Sequence, residues 1–115
     1  MSQLTRLNTT FSTADAERPE IRYCNGELFL TFKDWQNKSV SVLFTDPVAF
    51  KWEEADCFYE GERDDSCYVI ENSEWIAAYL KHGDISKNEA YQHYKFNFNS
   101  IGQLEVIALS FLERT

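Results

Sequence analysis

The chain has 115 residues and 13.5 kDa, the size of one domain, and can bury about two-thirds of its unfolded surface without disulfides or a metal. Its 43% hydrophobic, 26% charged and 16% aromatic residues exclude disordered and low-complexity classes and suit a strand-rich fold. A net charge of −8 repels nucleic acid and anionic lipid and attracts basic partners, so neither nucleic acid nor membrane is an expected partner.

Met1 to Thr10 is polar, with no apolar signal-peptide region, and no apolar stretch is long enough for a membrane span. The expected location is cytoplasmic. Ser12 to Glu20, with Pro19, is expected as a loop. Ile21 and Tyr23 then alternate with polar neighbours up to Asn25-Gly26, a strong hairpin signal because both positions tolerate positive φ. Leu28, Leu30 and Phe32 mark the next strand, and Asp34 to Lys38 a second turn. Trp35 in that turn is expected to fold over the sheet edge. Val40, Val42 and Phe44 mark a third strand, and Val48, Phe50 and Trp52 a fourth after Asp46-Pro47. Together these predict an antiparallel meander.

Cys67 to Ile70 is a further short strand. Ser73 or Asn72 can cap a helix carrying Trp75, Ile76, Tyr79 and Leu80 on one face, which Gly83 ends. Ala90 to Phe98 places Tyr94, Phe96 and Phe98 on one side and His93, Lys95 and Asn97 on the other, which is expected to face solvent. After a turn at Asn99 to Gly102, Leu104 to Leu112 is apolar on both faces in its second half, as in a central strand or a shifted alternation. The expectation is a single α+β domain, a curved antiparallel sheet of about six or seven strands, meander plus C-terminal hairpin, packed by one helix.

Cys24, Cys57 and Cys67 form no CxxC pair, and an odd, irregular set argues for a reducing compartment and for small core residues. A Cys57–Cys67 bridge is a less favoured alternative. The sharpest local feature is charge. Glu53, Glu54, Asp56, Glu60, Glu62, Asp64 and Asp65 are opposed by Arg63 alone, so this window carries −6 of the −8. Trp52, Cys57, Phe58 and Tyr59 are interleaved with the acids. Such a segment suits a basic protein, with acids steering the encounter and aromatics supplying contact area. The competing reading is a solvated acidic loop with Phe58 or Tyr59 folded into the core, and charge runs are more often of that kind. On the binding reading, Trp52, Glu53, Glu54, Asp56, Phe58, Tyr59, Glu60, Glu62, Asp64 and Asp65 contact the partner. Reversing Glu60, Glu62, Asp64 and Asp65 to Lys would then weaken binding and leave folding largely intact.

The acids lack the ordered spacing of a calcium loop, and His82 and His93 stand alone, so no metal or other cofactor is expected. No GxSxG, P-loop or GxGxxG is present, and no local motif joins a cysteine to a histidine, so no enzyme is expected.

The segment His93-Tyr94-Lys95-Phe96-Asn97-Phe98, the turn through Gly102 and Leu104-Glu105-Val106-Ile107-Ala108 resembles the closing hairpin of small bacterial immunity proteins. These are cytosolic antidotes of polymorphic toxin and contact-dependent inhibition systems. The helix at Trp75 to Leu80 is similar too. The resemblance spans about the last forty-five residues and rests on strand-forming patterns. It implies neutralisation of a cognate toxin domain by direct binding, and it transfers no site residues. Many nuclease toxins are basic because they hold a phosphate backbone, and an acidic aromatic loop can mimic that substrate. Two other readings stand beside it. One is a small-ligand carrier with an aromatic-lined half-barrel; the other is a structural adaptor subunit. Oligomeric state is not legible.

Overall fold

Alternation of apolar and polar residues builds most of this chain, and the apolar sides meet between two antiparallel sheets. The computed structural model describes residues 3–54 and 58–114. Among them are nine strands and one helix. The strands are β1 (Gln3–Arg6), β2 (Glu17–Cys24), β3 (Glu27–Lys33), β4 (Ser39–Thr45), β5 (Ala49–Glu53), β6 (Cys67–Glu71), β7 (Gln92–Phe98), β8 (Gly102–Ala108) and β9 (Ser110–Arg114). Helix α1 (Glu74–His82) lies between β6 and β7. The five-stranded sheet has the order β1-β6-β7-β8-β5, and the four-stranded sheet β2-β3-β4-β9.

The α+β class with antiparallel sheets is as expected, but the strands form two sheets rather than one curved sheet of six or seven. One strand lies where none was expected, and another starts earlier than expected. β1 pairs with β6, with Gln3 opposite Glu71. β2 begins at Glu17, inside the expected loop, and its register slips between Glu17 and Glu20. Pro19 falls in that slip, and β2 is an edge strand, where a missing N–H is tolerated.

Local signals held where they were local. Asn25 (φ 52°) and Gly26 (φ 78°) are both left-handed, as a two-residue type I′ turn requires. Asp34 Oδ1 accepts from the N–H groups of Gln36 and Lys38 and closes the next turn. Trp35 does not fold over the edge; it is 62% exposed. Ser73 Oγ caps α1 by accepting from Ile76 N, and Gly83 (φ 79°) ends it.

The meander covers only β2, β3 and β4. After β4 the chain leaves for the other sheet, where β5 pairs with β8, Ala49 opposite Ile107. β8 makes the reverse crossing at Leu109 and becomes β9, paired with β4. Leu109 N donates to Thr45 O, and Val48 N to Ile107 O, so the two crossings lie side by side. This explains the doubly apolar stretch. Leu104, Val106 and Ala108 face the core before the crossing, and Phe111 packs against it after, so the alternation changes phase at Leu109.

Between the sheets, Leu28, Leu30 and Phe32 of β3 and Val42 and Phe44 of β4 meet Tyr94, Phe96 and Phe98 of β7. Phe44 and Phe96 lie 5.4 Å apart between centroids, and Phe32 and Phe98 5.1 Å. Phe32, Phe44, Tyr94, Phe96 and Phe98 thus fill the layer between the sheets. Cys67 is a buried free thiol, pushed up to about 12 by burial, and is not bridged. Cys24 is exposed, contrary to its expected core role, and Cys57 lies outside the described residues.

Trp52 is half-buried against Phe98, with ring centroids 6.0 Å apart. A Cβ added at Gly102 would sit 2.5 Å from the Trp52 ring and 2.8 Å from the Glu53 carbonyl oxygen. Gly102→Ala is therefore expected to cost about 1–3 kcal/mol. Urea denaturation with Trp fluorescence measures it, and an unchanged midpoint would contradict this close approach.

Candidate functional site

The outer face of the five-stranded sheet carries alternate residues of β5, β7 and β8, and apart from Ala49 and Ile107 they are polar. In register across the strands stand Tyr68, Lys95, Glu105 and Lys51, and beside them Asn97, Gln103 and Glu53. His93, Lys95 and Asn97 were expected to face solvent, yet they are 3%, 1% and 0% exposed. Two segments cover them: helix α1 and the acidic lobe, residues 58–65.

Burying an ammonium group is costly unless an anion and further hydrogen bonds meet it. Lys95 Nζ lies 2.9 Å from Glu62 Oε2 and 3.1 Å from Oε1, with both side chains out of solvent. The same carboxylate accepts from Asn97 Nδ2 at 2.6 Å and from the Tyr59 N–H at 2.8 Å. Asn97 Nδ2 also donates to Arg63 O, and the Arg63 N–H donates to the Tyr68 hydroxyl. Gly61 (φ 81°) supplies the left-handed residue in the turn from Tyr59 to Glu62. The lobe is thus tied to the sheet by its own acid.

A second chain of contacts runs beside it. Glu105 Oε1 lies 2.7 Å from His93 Nε2, and His93 Nδ1 lies 2.7 Å from Ser73 Oγ. Burial pushes the Glu105 carboxyl up, but the hydrogen bond from His93 and the charges of Lys51, His93 and Lys95 outweigh it and hold it below the usual glutamate range. An ionised Glu105 requires the proton on Nε2. For the neutral ring, Nδ1 then accepts from the Ser73 hydroxyl. The order serine–histidine–carboxylate matches that of a nucleophilic triad. Here, however, Ser73 is 7% exposed, and its oxygen also accepts from the Ile76 N–H as the helix cap. The chain of contacts fastens the start of α1 to β7 and β8. The Trp75 ring closes over His93 edge-on, 5.0 Å between centroids.

Between lobe and helix lies a cleft of about 440 Å³. Tyr59 and Trp75 form walls, His93 and Glu105 the floor, and Lys51 and Glu53 the rim. Lys51 Nζ sits 4.9 Å from the Trp75 ring centroid, 3.6 Å from Glu105 Oε2 and 3.9 Å from Glu53 Oε1.

The ten expected contact residues separate into distinct roles. Glu54, Glu60 and Asp64 are exposed, and Phe58 and Tyr59 are 38% and 42% exposed. The aromatics therefore do not enter the core; they cover Lys95, whose Nζ lies 5.5 Å and 5.2 Å from their rings. Glu62 is the buried anchor. Asp65 is held below the usual aspartate range by the hydrogen bond from Arg63. Trp52 belongs to the core margin, and Glu53 to the cleft rim. Asp56 lies outside the described residues. Glu62 therefore does not belong among acids that can be reversed without touching the fold, because its side chain is buried against Lys95 and Asn97, whereas Asp65 pairs with the largely exposed Arg63. His93, Glu105, Lys95 and Trp75 were missed as site residues. The available signal was the matched polarity of β7 and β8, which sit opposite each other in the predicted hairpin. Among the described residues no group of three or more His, Cys, Asp and Glu is arranged to hold a metal, and no helix is long and apolar enough to cross a membrane.

No family model, curated protein or solved structure matches this chain. Its function is read from this geometry.

Glu62→Ala removes a buried carboxylate that Lys95, Asn97 and the Tyr59 N–H all donate to, and is expected to cost about 3–5 kcal/mol in urea denaturation. Replacing both residues by Met is expected to recover part of that loss. Glu105 titrates lower in the folded chain than in the unfolded one. Its contribution is therefore full above about pH 4.3, the ordinary glutamate value, and is lost as pH falls through the lower folded value. Glu105→Gln is expected to flatten the stability–pH curve in that window, and an unaltered acid limb would refute the assignment.

Proposed function

We propose that this protein is a non-catalytic binding inhibitor of the immunity type, which neutralises a basic toxin domain in the cytoplasm through its acidic lobe. One observation carries the reading: the lobe is pre-ordered. The Glu62 carboxylate holds it to β7 through Lys95 and Asn97, while Phe58, Tyr59, Glu60 and Asp64 stay at the surface. A partner that binds such a surface loses little to ordering it, and the acids raise the encounter rate of a basic domain. The sequence pattern of residues 93–108 and 75–80, which resembles that of immunity proteins, is the other ground for the reading.

The test must spare the anchor. Glu54, Glu60 and Asp64 are the exposed acids to reverse. The C-terminal domain encoded immediately upstream is expressed alone and together with this protein, and survival is scored. Killing by that domain and rescue by this protein are the expected result. The triple reversal to Lys is expected to weaken rescue and to slow association about tenfold at low ionic strength, with the gap closing as salt rises. Full rescue by the triple variant would move the interface elsewhere. A harmless domain, or killing despite this protein, would overturn the inhibitor reading.

A further inference from the structure

We infer that the cleft between α1 and the lobe is a receptor for one arginine side chain of the basic partner, and that Lys51 holds its place in the free protein. This rests on the proposed inhibitor reading and adds the anchor of its interface.

Lys51 Nζ lies where a cation is well served: over the Trp75 ring, near Glu105 Oε2 and near Glu53 Oε1. Its hold there is loose. The ion-pair distances, 3.6 Å and 3.9 Å, exceed hydrogen-bond range, and its side chain is 48% exposed. Glu105 is different. Its side chain is 9% exposed, His93 fixes one oxygen, and its proton is held off below the usual range. The site is thus a rigid, ionised carboxylate beside an indole, with a flexible ammonium as occupant. A guanidinium suits it better. It is planar, stacks on indole, is more weakly hydrated, and its fork can reach Glu105 and Glu53 together. The acidic window from Glu53 to Asp65, which includes the lobe and carries −6 of the chain's −8, draws such a cation in. Displacing Lys51 frees it to swing into solvent on its own stem. Its exposed position on β5 makes that movement easy.

The probe is N-acetyl-L-arginine N-methylamide, titrated into the full chain and followed by NMR at the Trp75 indole N–H and the His93 ring. The citrulline amide, with the same shape and no charge, is the control. Saturable shifts with the arginine probe only are expected. Lys51→Met removes the competitor and is expected to tighten binding about two- to five-fold. Glu105→Gln is expected to abolish the shifts. Should that variant unfold, Glu53→Gln, on the rim, is expected to weaken binding about two- to five-fold instead. Linear shifts, equal shifts with citrulline, or no tightening by Lys51→Met would overturn the inference. Such a failure, with rescue by the wild type still lost on reversal of the exposed acids, would retire the pocket and leave the lobe reading standing.

Discussion

Lys95 sits at the centre of a β-sheet with its ammonium out of water, and the molecule's outer architecture follows from meeting that charge. The carboxylate directly across the strands, Glu105, is engaged by His93 and faces Lys51. Glu62 comes from the lobe instead, and it brings the lobe with it. Asn97, one alternation further along β7, binds the same carboxylate and the lobe's backbone. An ion pair of this kind adds little net stability over an apolar pair, because both charges lose their hydration. It does select geometry: another lobe position would lose the hydrogen bonds that Lys95, Asn97 and the Tyr59 N–H make to the Glu62 carboxylate.

Two different chemistries therefore share the five-stranded sheet. Its inner face is aromatic and aliphatic, closed against the four-stranded sheet by ring contacts such as Phe44–Phe96. Its outer face mixes polar residues with the buried Ile70 and Ile107, and the lobe reaches it through the hydrogen bonds of Glu62. No residue of α1 is fully buried, and Trp75, Ile76, Tyr79 and Leu80 are only half-buried. The helix leans on the sheet through Trp75 and the Ser73–His93 contact. Non-directional burial holds the two sheets together, and directional contacts place the site. The lobe and the helix can thus differ in surface chemistry without disturbing the layer beneath.

The corner at Asp46–Val48 and Leu109 links the two halves. There β4–β5 and β8–β9 change sheets side by side as one bent antiparallel ribbon, joined by the Leu109–Thr45 and Val48–Ile107 bonds. The bend brings β5 alongside β8, which puts Lys51 and Glu53 next to Glu105. The cleft exists because a strand that would have continued the meander crosses over instead.

The features legible in the sequence were those decided by neighbours along the chain. The Asn25-Gly26 turn, the cap at Ser73, the stop at Gly83, the alternation in β3, β4 and β7 and the closing hairpin each depend on residues within a few positions of one another. So did the acidic window with its interleaved aromatics. Tertiary structure alone decided the rest. The phase change at Leu109 could be seen as a doubly apolar stretch, but not as a change of sheet, because that depends on pairing with Thr45, far back in the chain. His93, Lys95 and Asn97 have the alternation of a solvent face; they are buried because Glu62, 33 residues before Lys95, folds over Lys95 and Asn97 while Trp75 closes over His93. Alternation reports that two faces of a strand differ. It does not report what covers the polar one, since that cover is set by charge pairing between segments remote in sequence.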